Sequence, residues 1–217
     1  MTLTEGDANE WRKHVSSKIE VIPNPLTYYP SELTERNPGG SFRIISAGRL
    51  EEVKGFDLLI EAFALIADKC PQWHIDIFGK GSCEKVLEQL IISKRLEGRI
   101  NIYPPTTNIY YEYFKSGLYV LSSRHEGLGM SILEAMSCGV PSVAFDCEYG
   151  PAEIICQGET GLLVENGNVS KLADAILWAI EHPDKRLQMG LSARESVKKF
   201  RKEIIMQQWS ELFNRLS

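Results

Sequence analysis

The stretch FRIISAGRLEEVKGFDLLIEAFALIA, residues 42–67, decides the fold of this chain. Phe42–Ala47 is a short apolar run that ends at Gly48, a pattern typical of a buried strand entering a turn. From Phe56 to Ala67 apolar residues recur at helical spacing, which predicts an amphipathic helix packed on one face. A strand followed by a helix is the unit from which parallel sheets are built.

The same alternation continues along the chain. Further strands are predicted over Trp73–Phe78, Arg99–Tyr103, Leu118–Leu121, Pro141–Phe145 and Gly161–Val164. Helices are predicted between and after them, over Ser82–Leu96, Asn108–Lys115, Met130–Ser137, Pro151–Cys156 and Asn168–Ile180. Because parallel strands are joined by right-handed crossovers, the pattern predicts an α/β fold: a Rossmann-like, doubly wound parallel sheet covered on both faces.

The two ends of the sequence depart from this alternation. Asp7–Ser17 is predicted to be helical and Ile19–Ile22 to be a strand, followed by the irregular Pro23-Asn24-Pro25 and a linker over Pro30–Ser41. Beyond the last strand, Asp184–Lys199 and Arg201–Leu216 are predicted to be extra helices. The second of these carries an apolar stripe that needs a partner surface: Ile205, Trp209, Leu212, Phe213 and Leu216.

Composition excludes several classes of function. With 29 acidic and 24 basic residues, the chain has a net charge of −5 and no basic excess for a nucleic acid partner. No apolar run is long enough to cross a bilayer, and the polar start is unlike a secretory signal, so we expect a cytoplasmic protein. No C-x-x-C or H-E-x-x-H spacing is present, and no metal site is expected. A chain of 217 residues is also expected to hold only one full α/β domain.

Ligands of doubly wound sheets bind beyond the carboxyl ends of the strands, which selects the loops to inspect. In the first loop, Arg49 and Lys54 precede a helix, so together they are suited to hold two phosphates. The alternative is that both are solvated and paired with Glu51 and Glu52. The loop beginning at Gly79 matches the start of a dinucleotide fingerprint but has Glu84 in place of its third glycine, which disfavours a nicotinamide dehydrogenase. A tight turn that opens a helix capped by Ser82 is expected there instead.

The loop after the fourth strand holds the most chemistry. Glu126 stands beside two glycines, and the helix that begins near Met130 offers free N–H groups for sugar hydroxyls or a phosphate. Glu134 follows eight residues later, so both carboxylates are expected to face one cleft. Two alternatives remain: Ser131-x-x-Glu134 also matches a helix capping box, and Glu126 also fits an exposed loop acid.

Taken together, the motifs resemble those of the retaining glycosyltransferases of family 4. They occur in the same order between residues 42 and 180: GRLEEVKG (48–55), FGKG (78–81), EGLGMSILEAM (126–136), CGVPSVA (138–144), GPAEII (150–155) and GETGLLV (158–164). The resemblance implies a GT-B fold, in which two Rossmann-like domains face each other, and it identifies this chain as the carboxy-terminal, donor-binding domain. Pro104-Pro105 and Leu128 depart from the family pattern, which has a glycine and commonly a phenylalanine there.

The resemblance also implies roles for individual residues. Arg49 and Lys54 would neutralise the diphosphate leaving group, Glu126 would bind the donor sugar, and these three are the expected catalytic residues. The expected donor-binding residues are Gly48, Tyr103, Pro104, Gly127, Leu128, Gly129, Met130, Ser131 and Glu134, the last of which would accept hydrogen bonds from the ribose. The implied reaction is front-side displacement with retention of configuration, without a metal or cofactor and with a UDP-sugar as donor.

Domain boundaries and partners follow from the same resemblance. Residues 1–30 would be the end of the amino-terminal domain and the hinge, 31–199 the nucleotide-sugar-binding domain, and 200–217 the helix that crosses back. The acceptor would be a glycan or a lipid-linked acceptor molecule, held by the amino-terminal domain, with peripheral membrane contact in a full-length enzyme. The chain alone would then bind its donor without turnover. The alternatives are a non-catalytic module of the same fold and, by fold analogy, a GT-B epimerase or phosphorylase.

Overall fold

The computed structural model describes residues 1–31, 33 and 41–216. Within these residues the strands are β1 (Arg43–Ala47), β2 (His74–Phe78), β3 (Ile100–Tyr103), β4 (Leu118–Leu121), β5 (Ser142–Asp146) and β6 (Gly161–Glu165). All five neighbouring pairs are parallel, and they form one sheet with the order β3-β2-β1-β4-β5-β6. The predicted Rossmann-like, doubly wound sheet is therefore confirmed.

Helices cover both faces of this sheet. They are α1 (Glu5–Arg12), α2 (Phe56–Ala64), α3 (Glu84–Ser93), α4 (Ile109–Phe114), α5 (Met130–Ser137), α6 (Pro151–Ile154), α7 (Val169–Glu181), α8 (Pro183–Ser196) and α9 (Lys202–Leu216). Short 3₁₀ turns lie at Glu52–Lys54, Ala67–Lys69 and Val197–Phe200. The extra helices predicted at the carboxyl end are present as α8 and α9.

The core has two halves because successive side chains of a strand point to opposite faces of the sheet. Ile44 belongs to the half that packs with α2, α3 and α7, whereas its neighbour Ile45 belongs to the half that packs with α4, α5 and α8. Both residues are fully buried, as is Tyr119 on β4. Burying one such aliphatic side chain contributes about 1.5–3 kcal/mol, and the strand runs predicted from the sequence are apolar for this reason.

Four local predictions are wrong. The helix predicted over Asp7–Ser17 instead spans Glu5–Arg12. Ile19–Ile22 is not a strand: Val21 forms only an isolated bridge with Thr2, because Pro23 has no N–H with which to continue a ladder. The helix starting at Phe56 ends at Ala64 and not at Ala67. Ser82 does not begin or cap α3; its hydroxyl donates to Glu51 Oε2 at 2.6 Å. Most of the predicted linker, residues 32 and 34–40, lies outside the described residues.

The apolar stripe of α9 is only partly covered by the chain. Ile205 is buried, but Phe213 and Leu216 are 57% and 74% exposed. Trp209 stacks on Phe213 with ring centroids 5.6 Å apart. The distal half of α9 therefore presents aromatic and aliphatic surface to its surroundings.

The loops after β1 and β4 approach each other closely at Gly55. Gly55 has φ = +60°, and a Cβ at this position would collide with the carbonyl oxygen of Ser122. Ser122 in turn donates its hydroxyl to the carbonyl oxygen of Lys54 at 3.1 Å. The two loops are thus held together by a contact that only glycine permits.

Gly55→Ala should lower the free energy of unfolding by more than a positive φ costs any other residue, because the new Cβ also collides with Ser122. Gly98→Ala is the matched control, because Gly98 has φ = +74° but open space around its Cβ position. We expect a cost of roughly 1 kcal/mol for the control from its positive φ. The Gly55 variant should lose about 2 kcal/mol more, since the two loops must separate. Urea unfolding measures both, and equal losses would show that the contact with Ser122 is not a constraint.

Candidate functional site

A cleft of about 580 Å³ opens at the carboxyl edge of the sheet. Its wall contains Leu3, Asn24, Ala47, Gly48, Arg49, Lys54, Phe78, Gly79, Lys80, Pro105, Thr106, Ile109, Tyr113, Glu126, Leu128, Gly129, Met130, Ser131 and Glu134. Nine of the twelve predicted site residues belong to this set: Gly48, Arg49, Lys54, Glu126, Leu128, Gly129, Met130, Ser131 and Glu134. The structure therefore brings together the loops that follow β1 and β4, as the position of these loops in the sequence predicts.

Three predicted residues do not line the cleft. Tyr103 ends β3 with its ring stacked on Phe78, the ring centroids 5.2 Å apart, and it faces a neighbouring hollow. Pro104 and Gly127 are likewise absent from the cleft wall. Tyr103 is turned away because side chains alternate along a strand, so the chain reaches the cleft only at Pro105 and Thr106.

Lys54 and Glu126 join the two loops across the cleft. Lys54 Nζ lies 2.6 Å from Glu126 Oε1, and the hydroxyl of Ser123 donates to the same oxygen at 2.6 Å. The Lys54 side chain is 21% exposed and that of Glu126 is 9% exposed. Both charges are thus largely desolvated, which strengthens their attraction relative to a surface pair. The alternative of Lys54 paired with Glu51 or Glu52 is not observed, because the ammonium group of Lys54 pairs with Glu126. The Glu51 carboxylate accepts hydrogen bonds from Ser82.

Two further cations stand at the cleft. Arg49 and Lys80 are both exposed, and neither forms an ion pair with any residue in the part of the chain that the structure describes. Backbone hydrogen bonds hold their loops together, with Leu50 N donating to Lys80 O at 2.9 Å. Together with Lys54 they make one side of the cleft electropositive and suited to an anionic ligand.

Glu134 does not take part in a capping box. Helix α5 starts after Gly129, whose φ of +88° sets the turn, and no side chain caps the helix. Glu134 instead accepts a hydrogen bond from the hydroxyl of Tyr113 at 3.2 Å, and Ser131 accepts one from Tyr119 at 2.6 Å. Burial raises the pKa of the Glu134 carboxyl. The capping interpretation is therefore excluded, and Glu134 and Ser131 face the cleft.

The first turn of α5 adds backbone donors to the same wall. The N–H groups of Ile132 and Leu133 bond to the carbonyl of Gly129, whereas those of Met130 and Ser131 precede the first hydrogen bond of the helix. Free N–H groups at a helix start attract anions. They lie on the same wall as Glu126, so the cleft can hold a phosphate beside a polyhydroxyl group.

Some cleft residues could not be found by sequence reasoning. Leu3 and Asn24 come from the amino-terminal segment, and Ile109 and Tyr113 come from α4. Lys80 could have been predicted as a site residue, because it lies in a glycine-flanked turn directly after a predicted strand. In the sequence, Tyr113 is only one member of an aromatic cluster on a predicted helix. Its buried contact with Glu134 depends on the tertiary fold, so the sequence gives no signal for it.

Two kinds of feature are absent from residues 1–31, 33 and 41–216. No group of three or more His, Cys, Asp or Glu side chains there could hold a metal ion. No helix in this part of the chain is long and apolar enough to cross a lipid bilayer.

Comparison with known proteins gives consistent matches. The model of the family described as glycosyl transferases group 1 matches residues 34–196. An uncharacterised glycosyltransferase of Haemophilus influenzae is 32% identical over 96% of this chain. A poly(ribitol-phosphate) α-N-acetylglucosaminyltransferase of Staphylococcus aureus is 36% identical over 76% of it. The chain spans 59% and 34% of the lengths of these two relatives.

A solved structure agrees with the sequence matches. The crystal structure of a variant of TarM from Staphylococcus aureus, in complex with fondaparinux, α-GlcNAc-glycerol and UDP, superposes with a TM-score of 0.89 at 30% identity. The superposition covers 98% of this chain and 43% of TarM. The predicted membership of a glycosyltransferase family is thereby confirmed: the chain belongs to the glycosyl transferases group 1 family.

Proposed function

We propose that this chain is the carboxy-terminal, donor-binding domain of a family 4 retaining glycosyltransferase that uses a UDP-sugar and needs no metal. One observation carries the proposal: the cleft places Arg49 and Lys54 opposite Glu126 and Glu134 at the carboxyl edge of a Rossmann-like sheet. The UDP bound to the TarM variant, at 30% identity, supports the choice of nucleotide.

Phosphate recognition falls to the basic side of the cleft. Arg49 forms no salt bridge among the described residues, although its positive charge acts on the Glu51 carboxylate. Its guanidinium can form two parallel hydrogen bonds to a phosphate. Lys54 already neutralises Glu126 and can share its charge with the diphosphate. The free N–H groups at the start of α5 would complete the phosphate-binding site, and Gly48 would lie close to the phosphates.

Sugar and nucleoside recognition fall to the two carboxylates. Glu126 is held by Lys54 and Ser123 through Oε1, which leaves Oε2 for hydroxyls of the transferred sugar. The backbone from Gly127 to Met130 would assist it. Glu134 would accept the ribose hydroxyls. We assign the base to Pro105 and Thr106 on the cleft wall, which directly follow Tyr103 and Pro104 in the sequence.

Catalysis in this proposal is electrostatic. As the bond from the anomeric carbon to the phosphate oxygen breaks, negative charge grows on the diphosphate, and Arg49 and Lys54 stabilise it. The acceptor hydroxyl attacks from the same face and gives its proton to the departing phosphate, so configuration is retained. A protein that carries both halves should therefore give a product with the anomeric configuration of its donor, and proton NMR coupling constants would reveal an inverting enzyme.

The proposed enzyme would have a second domain and an acceptor. Residues 1–30 would close an amino-terminal domain and form the hinge, and residues 31–199 would bind the donor. Residues 200–217 would cross back, and Phe213 and Leu216 in this segment are exposed. A glycan or lipid-linked acceptor would bind between the two domains. The location would be cytoplasmic, with peripheral membrane contact, and this chain alone would bind donor without turnover.

Titration calorimetry with UDP, GDP and ADP tests the donor site. Arg49→Ala combined with Lys54→Ala should weaken UDP roughly 100-fold, because each charge-assisted hydrogen bond contributes about 1.5–3 kcal/mol. Uridine, which lacks the diphosphate, should bind the double variant nearly as well as the wild type. Lys85→Ala with Lys94→Ala is the matched control, since it removes the same charge from exposed positions off the cleft wall. Binding of none of the three nucleotides by a folded chain would refute the proposal.

The pH dependence of ribose recognition gives a second test. The carboxylate form of Glu134 accepts ribose hydroxyls. Because burial raises the pKa of this carboxyl, its contribution is present above the raised pKa and is lost as the pH falls through it. We expect the preference for UDP over 2′,3′-dideoxy-UDP to decline on acidification. Taking the ratio of the two affinities cancels the titration of the phosphates. Glu134→Gln should make this ratio low and independent of pH, and an unchanged profile in that variant would remove Glu134 from the ribose site.

A further inference from the structure

Two fully buried tyrosines adjoin the cleft: Tyr113 contributes to its wall, and Tyr119 is not part of the wall. Tyr113 belongs to α4 and Tyr119 to β4, and their rings meet edge to face with centroids 6.0 Å apart. A buried phenol needs a hydrogen-bond partner, because an unsatisfied hydroxyl in the core is costly. In each case the side-chain partner is a residue of the cleft wall and not of the core.

The Tyr113 hydroxyl acts on one oxygen of Glu134. It donates to Oε2 at 3.2 Å, and burial raises the pKa of Tyr113 so far that the phenol keeps its proton. A neutral phenol beside a carboxylate can only donate to it. Oε2 is therefore partly engaged from below, and the carboxylate is held in an orientation that turns its other oxygen toward a ligand.

The Tyr119 hydroxyl acts on Ser131. It donates to Ser131 Oγ at 2.6 Å, and burial raises the pKa of Tyr119 so that the phenol keeps its proton. A serine hydroxyl has a single hydrogen. Because Ser131 accepts from Tyr119, its own hydrogen points elsewhere, and Ser131 lies on the cleft wall. Ser131 thus faces a ligand as a donor, which suits an oxygen of a phosphate group.

We infer that Tyr113 and Tyr119 are positioning residues that fix the direction of hydrogen bonding in the donor site. Tyr113 holds Glu134 as an acceptor for ribose hydroxyls, and Tyr119 sets Ser131 as a donor to the diphosphate. The inference rests on the proposed function, because it assumes that a nucleoside diphosphate occupies the cleft. It assigns the two tyrosines to two different parts of one ligand.

Three ligands separate the two roles. Ribose preference is the Kd of 2′,3′-dideoxy-UDP divided by that of UDP, and phosphate preference is the Kd of uridine divided by that of UDP. Tyr113→Phe should lower the ribose preference about fivefold and leave the phosphate preference unchanged. Tyr119→Phe should do the reverse, with a similar magnitude, because each variant loses one oriented hydrogen bond. Calorimetry or competition binding measures all three constants.

Tyr110→Phe is the matched control. Tyr110 lies on the same helix as Tyr113 with its hydroxyl 3.4 Å from Thr27 Oγ, and it is absent from the cleft wall. This variant should change neither preference. A second control combines Tyr113→Phe with Glu134→Gln. If Tyr113 acts through Glu134, the added phenylalanine leaves the ribose preference of the Glu134→Gln variant unaltered.

The outcomes are distinct. Loss of affinity by one common factor for all three ligands would show a merely structural role and overturn the inference, as would unchanged preferences. Failure of the wild-type chain to bind UDP would instead sink the proposed function. If a phenylalanine variant unfolds in a thermal melt, Ser131→Ala or Glu134→Gln carries the test. Ser131→Ala must lower the phosphate preference and Glu134→Gln the ribose preference, and an unchanged value in either would refute the corresponding assignment.

Discussion

The direction of the crossovers reverses between β1 and β4, and the cleft depends on that reversal. These strands are neighbours in the order β3-β2-β1-β4-β5-β6, but the chain runs outward from them in opposite directions. Their following loops therefore diverge and leave a crevice at the carboxyl edge of the sheet. The crevice is bounded rather than open because Lys54 and Glu126 meet across it and Gly55 lets the two backbones touch.

Charge and burial divide this crevice into unlike regions. The β1 and β2 loops contribute Arg49 and Lys80, which have no ion-pair partner in the described part of the chain, whereas Glu134 lies on a buried wall where ionisation is disfavoured. An anion gains most beside the unpaired cations, and a hydroxyl gains most beside a carboxylate. A ligand with phosphates at one end and a sugar hydroxyl pair further along matches this gradient. Lys54 belongs to both regions, because it forms an ion pair with Glu126 and lies next to the expected position of the diphosphate.

The sequence predicted the parts of this arrangement that depend on local order. Strands were predictable because buried parallel strands are continuous apolar runs, and Arg49, Lys54, Glu126 and Glu134 were predictable because they follow such runs. Tyr103 was placed at the correct strand end but on the wrong side, since a one-residue shift in the pleat reverses where a side chain points. Ser82 was expected to cap α3, but its hydroxyl instead donates a hydrogen bond to Glu51, which is distant in sequence. The orientation of such side chains is decided by hydrogen bonds between elements that are far apart in sequence. The spacing of residues along the chain does not reveal these bonds.

The amino-terminal segment shows how such distant bonds complete the site. At its start, the N–H groups of Glu5 and Gly6 donate to the carboxylate of Glu153 at 3.0 and 2.7 Å. A side chain of α6 thus accepts the hydrogen bonds of N–H groups that the first turn of α1 leaves free. Near its end, Leu26 N donates to Phe200 O at 2.8 Å. A segment tied to the domain at both ends cannot drift from the sheet, so Leu3 and Asn24 remain in the cleft wall. Whatever these residues belong to in a longer protein, the geometry of the cleft includes them, and a boundary drawn at residue 31 would remove part of the wall.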